Sequence, residues 1–151
     1  DFAYITVGVG AEGEDGSVHS PGYNLAVIDA VSGRILERQG FDTTPGGSEA
    51  QAAALAAFVR AIPEGQIVVA AMQGDGAARL TAKAVDALRS IGGQADPRGS
   101  SGWSHALVGV KGAAPGTALE GSGPQNGWLR LVPDRRTLAV AVDRVVWERT
   151  D

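Results

Sequence analysis

Cysteine is absent from this chain of 151 residues, and its absence excludes several kinds of site at once. Without a thiol the chain has no disulfide, cysteine nucleophile, iron–sulfur cluster or thiolate-bound zinc. Aromatic residues make up only 5% of the chain, and its 13 Lys and Arg residues are scattered against a net charge of −4. A continuous basic surface that follows nucleic-acid phosphates is therefore not expected.

Long apolar runs are missing as well, so we expect no membrane insertion by this segment. An apolar content of 44% is typical of a globular domain with a real core, and the length fits one domain over residues 1–151. The start at Asp1, without a methionine, predicts that this domain is excised from a larger protein.

Small residues are abundant, with 22 glycines and 25 alanines, which indicates many turns and close backbone approaches. Two segments rich in Gly, Ser and Pro, 12–22 and 111–127, predict loops. Apolar and β-branched runs between the glycines predict strands. These strands are 4–7, 24–29, 34–38, 67–72, 105–110, 128–132 and 137–147.

Two helices are predicted, over residues 48–62 and 77–91, which gives an α+β chain. The first begins after an N-cap at Ser48, and the spacing of Leu55, Val59 and Ile62 places them on one face. The second follows the turn Gly74-Asp75-Gly76 and ends at a glycine pair.

Gly8, Gly10 and Gly13 form a G-x-G-x-x-G pattern directly after a predicted strand. Dinucleotide binding requires a helix that opens at the third glycine, so that its N-terminus faces the pyrophosphate. Here Glu14 and Asp15 follow, with no helical period and with negative charge where phosphate would lie. We interpret the pattern as a glycine-rich loop and expect no cofactor.

Catalytic residues do not converge in the sequence. The chain has two histidines, His19 and His105, and the Ser104 beside His105 would point to the opposite face of a strand. Neither a G-x-S-x-G elbow nor an H-E-x-x-H motif is present. We expect no enzyme, although two carboxylates distant in sequence would still allow a hydrolase.

Glu12, Glu14 and Asp15 form an acidic loop that offers oxygens to calcium, but the EF-hand spacing is absent. A solvated loop is the favoured interpretation, with calcium binding left open and no metal site predicted.

A binding site is predicted at one edge of the sheet, where the strand ending at Met72 leads into Gln73 and Asp75. Asp75 has two interpretations, a ligand contact or an N-cap for the following helix. Trp103 also has two, since a loop tryptophan either anchors a sugar face or covers the edge of the core.

A set of segments in a fixed order resembles the interleukin-like EMT inducer (ILEI) domain, also called the PANDER-like or GG domain. The resemblance spans residues 22–112. The segments that carry it are 24–29, Gly33-Arg34, Phe41-Asp42-Thr43, 62–68, Gly74-Asp75-Gly76, Leu80, Leu88 and 108–112. It implies two packed, mainly antiparallel β-sheets flanked by helices, in a domain that is not a conventional enzyme.

Members of this family include secreted signalling proteins and accessory domains of glycan-processing proteins, which implies a location outside the cytoplasm. A sugar-binding member uses an Asp and an Arg whose positions fall, without gaps, on Gly74 and Gly102 here. The polar and aromatic residues that stand nearby are Asp75, Arg98, Trp103 and His105.

The resulting hypothesis is a non-catalytic carbohydrate-binding module of a larger, bacterial-type envelope or glycan-handling protein. Trp103 would stack on a sugar, and the residues that hydrogen-bond its hydroxyls would be Gln73, Asp75, Arg79 and His105. The alternative is a structural or protein-interaction domain that packs against its parent chain through an exposed apolar patch, around Trp128 or Trp147.

Overall fold

The computed structural model describes residues 3–8 and 13–124. Within them the chain is an α+β fold, as the sequence predicts. The elements are β1 (Thr6–Val7), β2 (Glu14–Asp15), β3 (Gly22–Ile28), β4 (Ile35–Phe41), α1 (Glu49–Ala61), β5 (Ile67–Gln73), α2 (Ala82–Arg89), β6 (Ser104–Val110) and β7 (Leu119–Gly123).

Five strands form the main sheet in the order β4-β3-β5-β6-β7, and every neighbouring pair is antiparallel. The central strand β5 pairs Ala70 with Leu25 on one side and with Leu107 on the other. Strands β3 and β5 lie deep in the sheet and are buried almost throughout, which explains their nearly continuous apolar sequence.

Both faces of this sheet are covered. One face packs on α1 and α2, where Leu55 and Val59 of α1 and Leu88 of α2 join a core with Leu25 and Leu107. The opposite face packs on the first strand of a two-stranded sheet, β1-β2, through apolar side chains of both layers. These side chains include Val7 of the small sheet, Ile5 just before it, and Ala26, Ile28 and Val69 of the main sheet. The expected packing of two sheets flanked by helices is confirmed.

Helix α1 agrees with the predicted 48–62 to within one residue at each end, with Ser48 at its N-cap position. Helix α2 lies within the predicted 77–91 but begins five residues later, at Ala82, and ends two residues earlier, at Arg89. Residues 77–80 form turns in which Leu80 N–H donates to the Ala77 carbonyl, and Thr81 caps the helix by accepting from Ala84 N–H at 3.3 Å. Asp75 is therefore not the N-cap.

Two predicted loops contain strands. In 111–127, Leu119–Gly123 forms β7 and pairs with β6, although glycines make its sequence look like a loop. In 12–22, Glu14–Asp15 forms β2 and pairs with β1, and Ser17 beyond it is buried. The strands predicted over 128–132 and 137–147, with Trp128 and Trp147, lie outside the described residues.

Candidate functional site

Three loops meet at one end of the main sheet, which we call the loop end. Strands β3 and β6 begin there and β5 and β7 end there, because Gly22 pairs with Gln73 and Ser104 with Gly123. The loops are 42–48 after β4, 74–81 after β5 and 94–103 before β6. Four of the five residues predicted to bind a ligand lie in these loops or at the adjoining strand end.

Asp75 joins two of these loops. Its Oδ2 accepts a hydrogen bond from Ser101 Oγ at 2.8 Å, and its Oδ1 accepts one from Gly102 N–H at 3.3 Å. One half-buried carboxylate thus contacts two residues that lie 26 and 27 positions further along the sequence. Asp75 determines where the end of the 94–103 loop lies relative to β5.

Trp103 follows directly on that contact, at the last position before β6. Its backbone N–H donates to the Ser100 carbonyl at 3.1 Å, which closes a turn, and the residue is 40% exposed. Trp103 therefore keeps a large part of its surface toward solvent at the loop end.

Gln73 and Arg79 lie at the same end but contact other segments. Gln73 is half-buried, and its Oε1 accepts from the N–H of Ala3, in the segment before β1, at 3.3 Å. Arg79 is exposed, and its Nη2 donates to the Pro45 carbonyl at 3.3 Å in the 42–48 loop. Gln73 thus binds the segment before β1, whereas the guanidinium of Arg79 lies at the surface.

His105 does not lie on this surface, so its predicted hydrogen bond to a ligand hydroxyl is wrong. The side chain is 2% exposed, and both ring nitrogens bind protein groups. Nδ1 lies 2.7 Å from the Tyr23 hydroxyl, and Nε2 lies 2.9 Å from Glu120 Oε1. The physical reason is strand alternation, which places His105 on the helix-facing side with Leu107.

Glu120, which the sequence analysis did not select, completes this buried group. Its other oxygen, Oε2, accepts from the N–H groups of Gln94 at 2.7 Å and Ala95 at 3.0 Å. Burial acts to raise the pKa of Glu120, but the hydrogen bonds from His105 and from the two amides outweigh it and lower the pKa below its usual value. Its glycine-rich surroundings carry no periodic signal.

Tyr23 lies at the far end of the same group. Its pKa is raised well above the usual value, first by burial and then by the negative charges of Glu120 and Asp96. The phenol therefore stays protonated and able to donate a hydrogen bond. Its ring meets that of His105 edge-on, with centroids 5.8 Å apart.

Several charged residues elsewhere form ion pairs with one another. Glu14 binds Arg38 at 2.8 Å and Asp15 binds His19 at 2.7 Å, while Glu12 lies outside the described residues. At the loop end, the Arg98 guanidinium binds Asp96 and lowers the pKa of that carboxyl to about 2.

In the part of the chain that the structure describes, no three His, Cys, Asp or Glu side chains cluster as a metal site would require. Nor is any helix of that part both long enough and apolar enough to span a bilayer.

Comparison with known proteins identifies the family. The sequence model of the family named interleukin-like EMT inducer matches residues 21–113, more than half of the chain. That match begins just before β3 and ends just after β6, so it covers both helices and the loops 42–48, 74–81 and 94–103. No curated protein matches the chain. The chain belongs to the interleukin-like EMT inducer (ILEI) family.

Proposed function

We propose that this ILEI domain is a non-catalytic module that binds carbohydrate at its loop end. In this proposal the domain is accessory to a larger glycan-handling or cell-envelope protein outside the cytoplasm. The observation that carries the proposal is the bond between Asp75 and the loop that presents Trp103, a half-exposed indole beside polar groups.

An indole suits sugar binding because its flat apolar face packs on the C–H groups of a pyranose, while sugar hydroxyls require polar neighbours. The polar side chains that would serve are the exposed Ser101 and the half-buried Asp75 in the loops next to Trp103, with Arg79 and Gln73 at the same end of the sheet. His105 supports the site from within and makes no contact with the ligand. Because Asp75 already accepts two bonds, a sugar hydroxyl would use its remaining lone pairs.

The test is a glycan-array screen of the isolated domain, with each hit followed by titration of tryptophan fluorescence. Trp103→Ala should abolish a saturable signal while the circular dichroism spectrum stays unchanged. The control is Leu36→Ala on β4, which removes another exposed apolar side chain (56% exposed) away from the loop end and should leave binding intact. Binding that survives Trp103→Ala would show that this site is wrong.

A second candidate, a protein-interaction domain that packs against its parent chain, is favoured by an exposed apolar pair on β6 and β7. Val110 is 40% exposed and Leu119 is 42% exposed, and both lie on the face that the small sheet covers only in part. Exposed apolar pairs of this kind favour contact with protein. A blank glycan array, together with binding to the parent protein that Leu119→Asp weakens, would support this candidate over the first.

A further inference from the structure

We propose that Glu120 and His105 are positioning residues, which hold the start of the 94–103 loop and thereby place Trp103. The inference rests on the proposed function, since Trp103 is the residue that would meet the sugar. It assigns a role to a buried polar group that makes no contact with the ligand surface.

The geometry is a chain of hydrogen bonds across three strands. The Tyr23 hydroxyl on β3 lies 2.7 Å from His105 Nδ1 on β6, and His105 Nε2 lies 2.9 Å from Glu120 Oε1 on β7. With a neutral imidazole, Tyr23 donates to Nδ1 and Nε2–H donates to the carboxylate, so both ring nitrogens are satisfied. Every polar side-chain atom of Tyr23, His105 and Glu120 then has a partner.

The carboxylate divides its two oxygens between the core and the loop. Oε1 faces His105, whereas Oε2 accepts from two consecutive amides, those of Gln94 and Ala95. Two adjacent amides directed at one carboxylate oxygen fix the direction in which the chain leaves Gly93. The loop is therefore anchored by Glu120 at its start, at Gln94 and Ala95, and by Asp75 near its end, at Ser101 and Gly102.

Burying three polar side chains costs free energy, which indicates that this hydrogen-bonded group has a role beyond filling the core. Three polar side chains in a core must all be paired, and apolar side chains of similar volume would fill the same space at lower cost. An apolar side chain at position 120 would leave the amides of Gln94 and Ala95 without this acceptor. A carboxylate has two acceptor oxygens here, so it can bind His105 and the two loop amides at the same time.

The test is Glu120→Gln, which keeps the size of the side chain but removes its charge, with the exposed Glu37→Gln on β4 as the control. Amide hydrogen exchange by NMR should rise about tenfold or more at Gln94 and Ala95, with the amide of Val69 in β5 unchanged. The indole N–H resonance of Trp103 should shift or broaden. Unchanged exchange at both amides, or an unchanged indole resonance, would overturn the proposal.

Sugar affinity separates this inference from the proposed function. In a domain that binds a glycan, Glu120→Gln should weaken binding about tenfold, and unchanged affinity would overturn the positioning role. A blank array would overturn the sugar site alone, because exchange and the indole resonance are measured without ligand. If Glu120→Gln does not fold, Tyr23→Phe, which removes only the hydroxyl, should raise exchange at the same two amides, and no change there would contradict the proposal.

Discussion

Thr43 Oγ1 donates a buried hydrogen bond of 2.7 Å to the carbonyl oxygen of Gly76. The Thr43 carbonyl in turn accepts from Arg79 N–H at 2.9 Å, so one residue of the 42–48 loop holds both ends of the 76–79 turn. Side-chain bonds of this kind, rather than regular secondary structure, join the three loops of the loop end. Their strength can be tested one bond at a time.

Thr43→Val removes the hydroxyl and leaves the buried Gly76 carbonyl without its donor. We expect the free energy of unfolding to fall by about 1–3 kcal/mol, the cost of an unsatisfied buried acceptor. Thr117→Val is the control, because Thr117 also donates to a carbonyl at 2.7 Å but is exposed, and it should cost less than about 0.5 kcal/mol. Urea unfolding of both variants measures the difference, and equal losses would contradict the account.

Gly22→Ala tests the close approach of β3 to β4 at the loop end. Gly22 has φ +81°, and a Cβ there would overlap the Phe41 carbonyl oxygen and lie 2.5 Å from the Thr43 nitrogen. Gly33 has a similar φ of +71° with nothing within 4 Å, so Gly33→Ala measures backbone strain alone. We expect about 1–2 kcal/mol for Gly33→Ala and more than about 3 kcal/mol for Gly22→Ala. Thermal unfolding that ranks the two the other way would exclude the clash.

Acidification should remove the contribution of Glu120 to stability. Its pKa in the folded protein is lowered, so the ionised side chain stabilises the fold above the unfolded value of about 4.3. That stability is lost as pH falls through the lower folded pKa. The groups that face the carboxylate are His105 and the amides of Gln94 and Ala95.

The measurement is urea unfolding of the wild type and Glu120→Gln at about pH 7 and about pH 3. Asp29 and Asp96, whose pKa values are also lowered, are present in both proteins, so their effects cancel. The stability gap between the two proteins should narrow in acid. A gap of equal size at both pH values would show that Glu120 does not act through its charge.

Asp75→Asn should loosen the loop that carries Trp103 with little effect on the core. The amide keeps one acceptor oxygen, so one of the bonds from Ser101 Oγ and Gly102 N–H is lost or weakened. Acrylamide quenching of the indole should increase, while the free energy of unfolding changes by about 1 kcal/mol or less. Asp86→Asn on α2, which alters an exposed ion pair with Arg89, should leave quenching unchanged.

The central elements were predictable because burial on both faces leaves a plain signal in the sequence. The apolar runs of β3 and β5 and the spacing of Leu55 and Val59 in α1 each follow from where the core lies. The start of α2 was not predictable in the same way. Residues 77–80 have a helix-compatible composition, but tertiary bonds to Thr43 hold them in turns.

The sequence could nominate residues for the candidate site, but it could not give their geometry. Asp75 and Trp103 follow from their places beside predicted strands, but only the fold brings Asp75 against Ser101. His105 was misassigned although the sequence held a signal of its burial. It lies two residues from the apolar Leu107 on the same strand, so the two side chains share one face. Glu120 had no such signal, since two of the five residues of its strand, Gly121 and Gly123, are glycines.

The covering of both sheet faces has a consequence for engineering. The layers on either side of β3 and β5 commit those strands to packing, whereas the 94–103 loop is mostly exposed. We therefore expect new sequence to be tolerated at the exposed positions of 94–103, whereas in 74–81 the core residues Ala77 and Leu80 should be kept. A graft should retain the carboxylates at 75 and 120, because they fix the incoming loop to the frame.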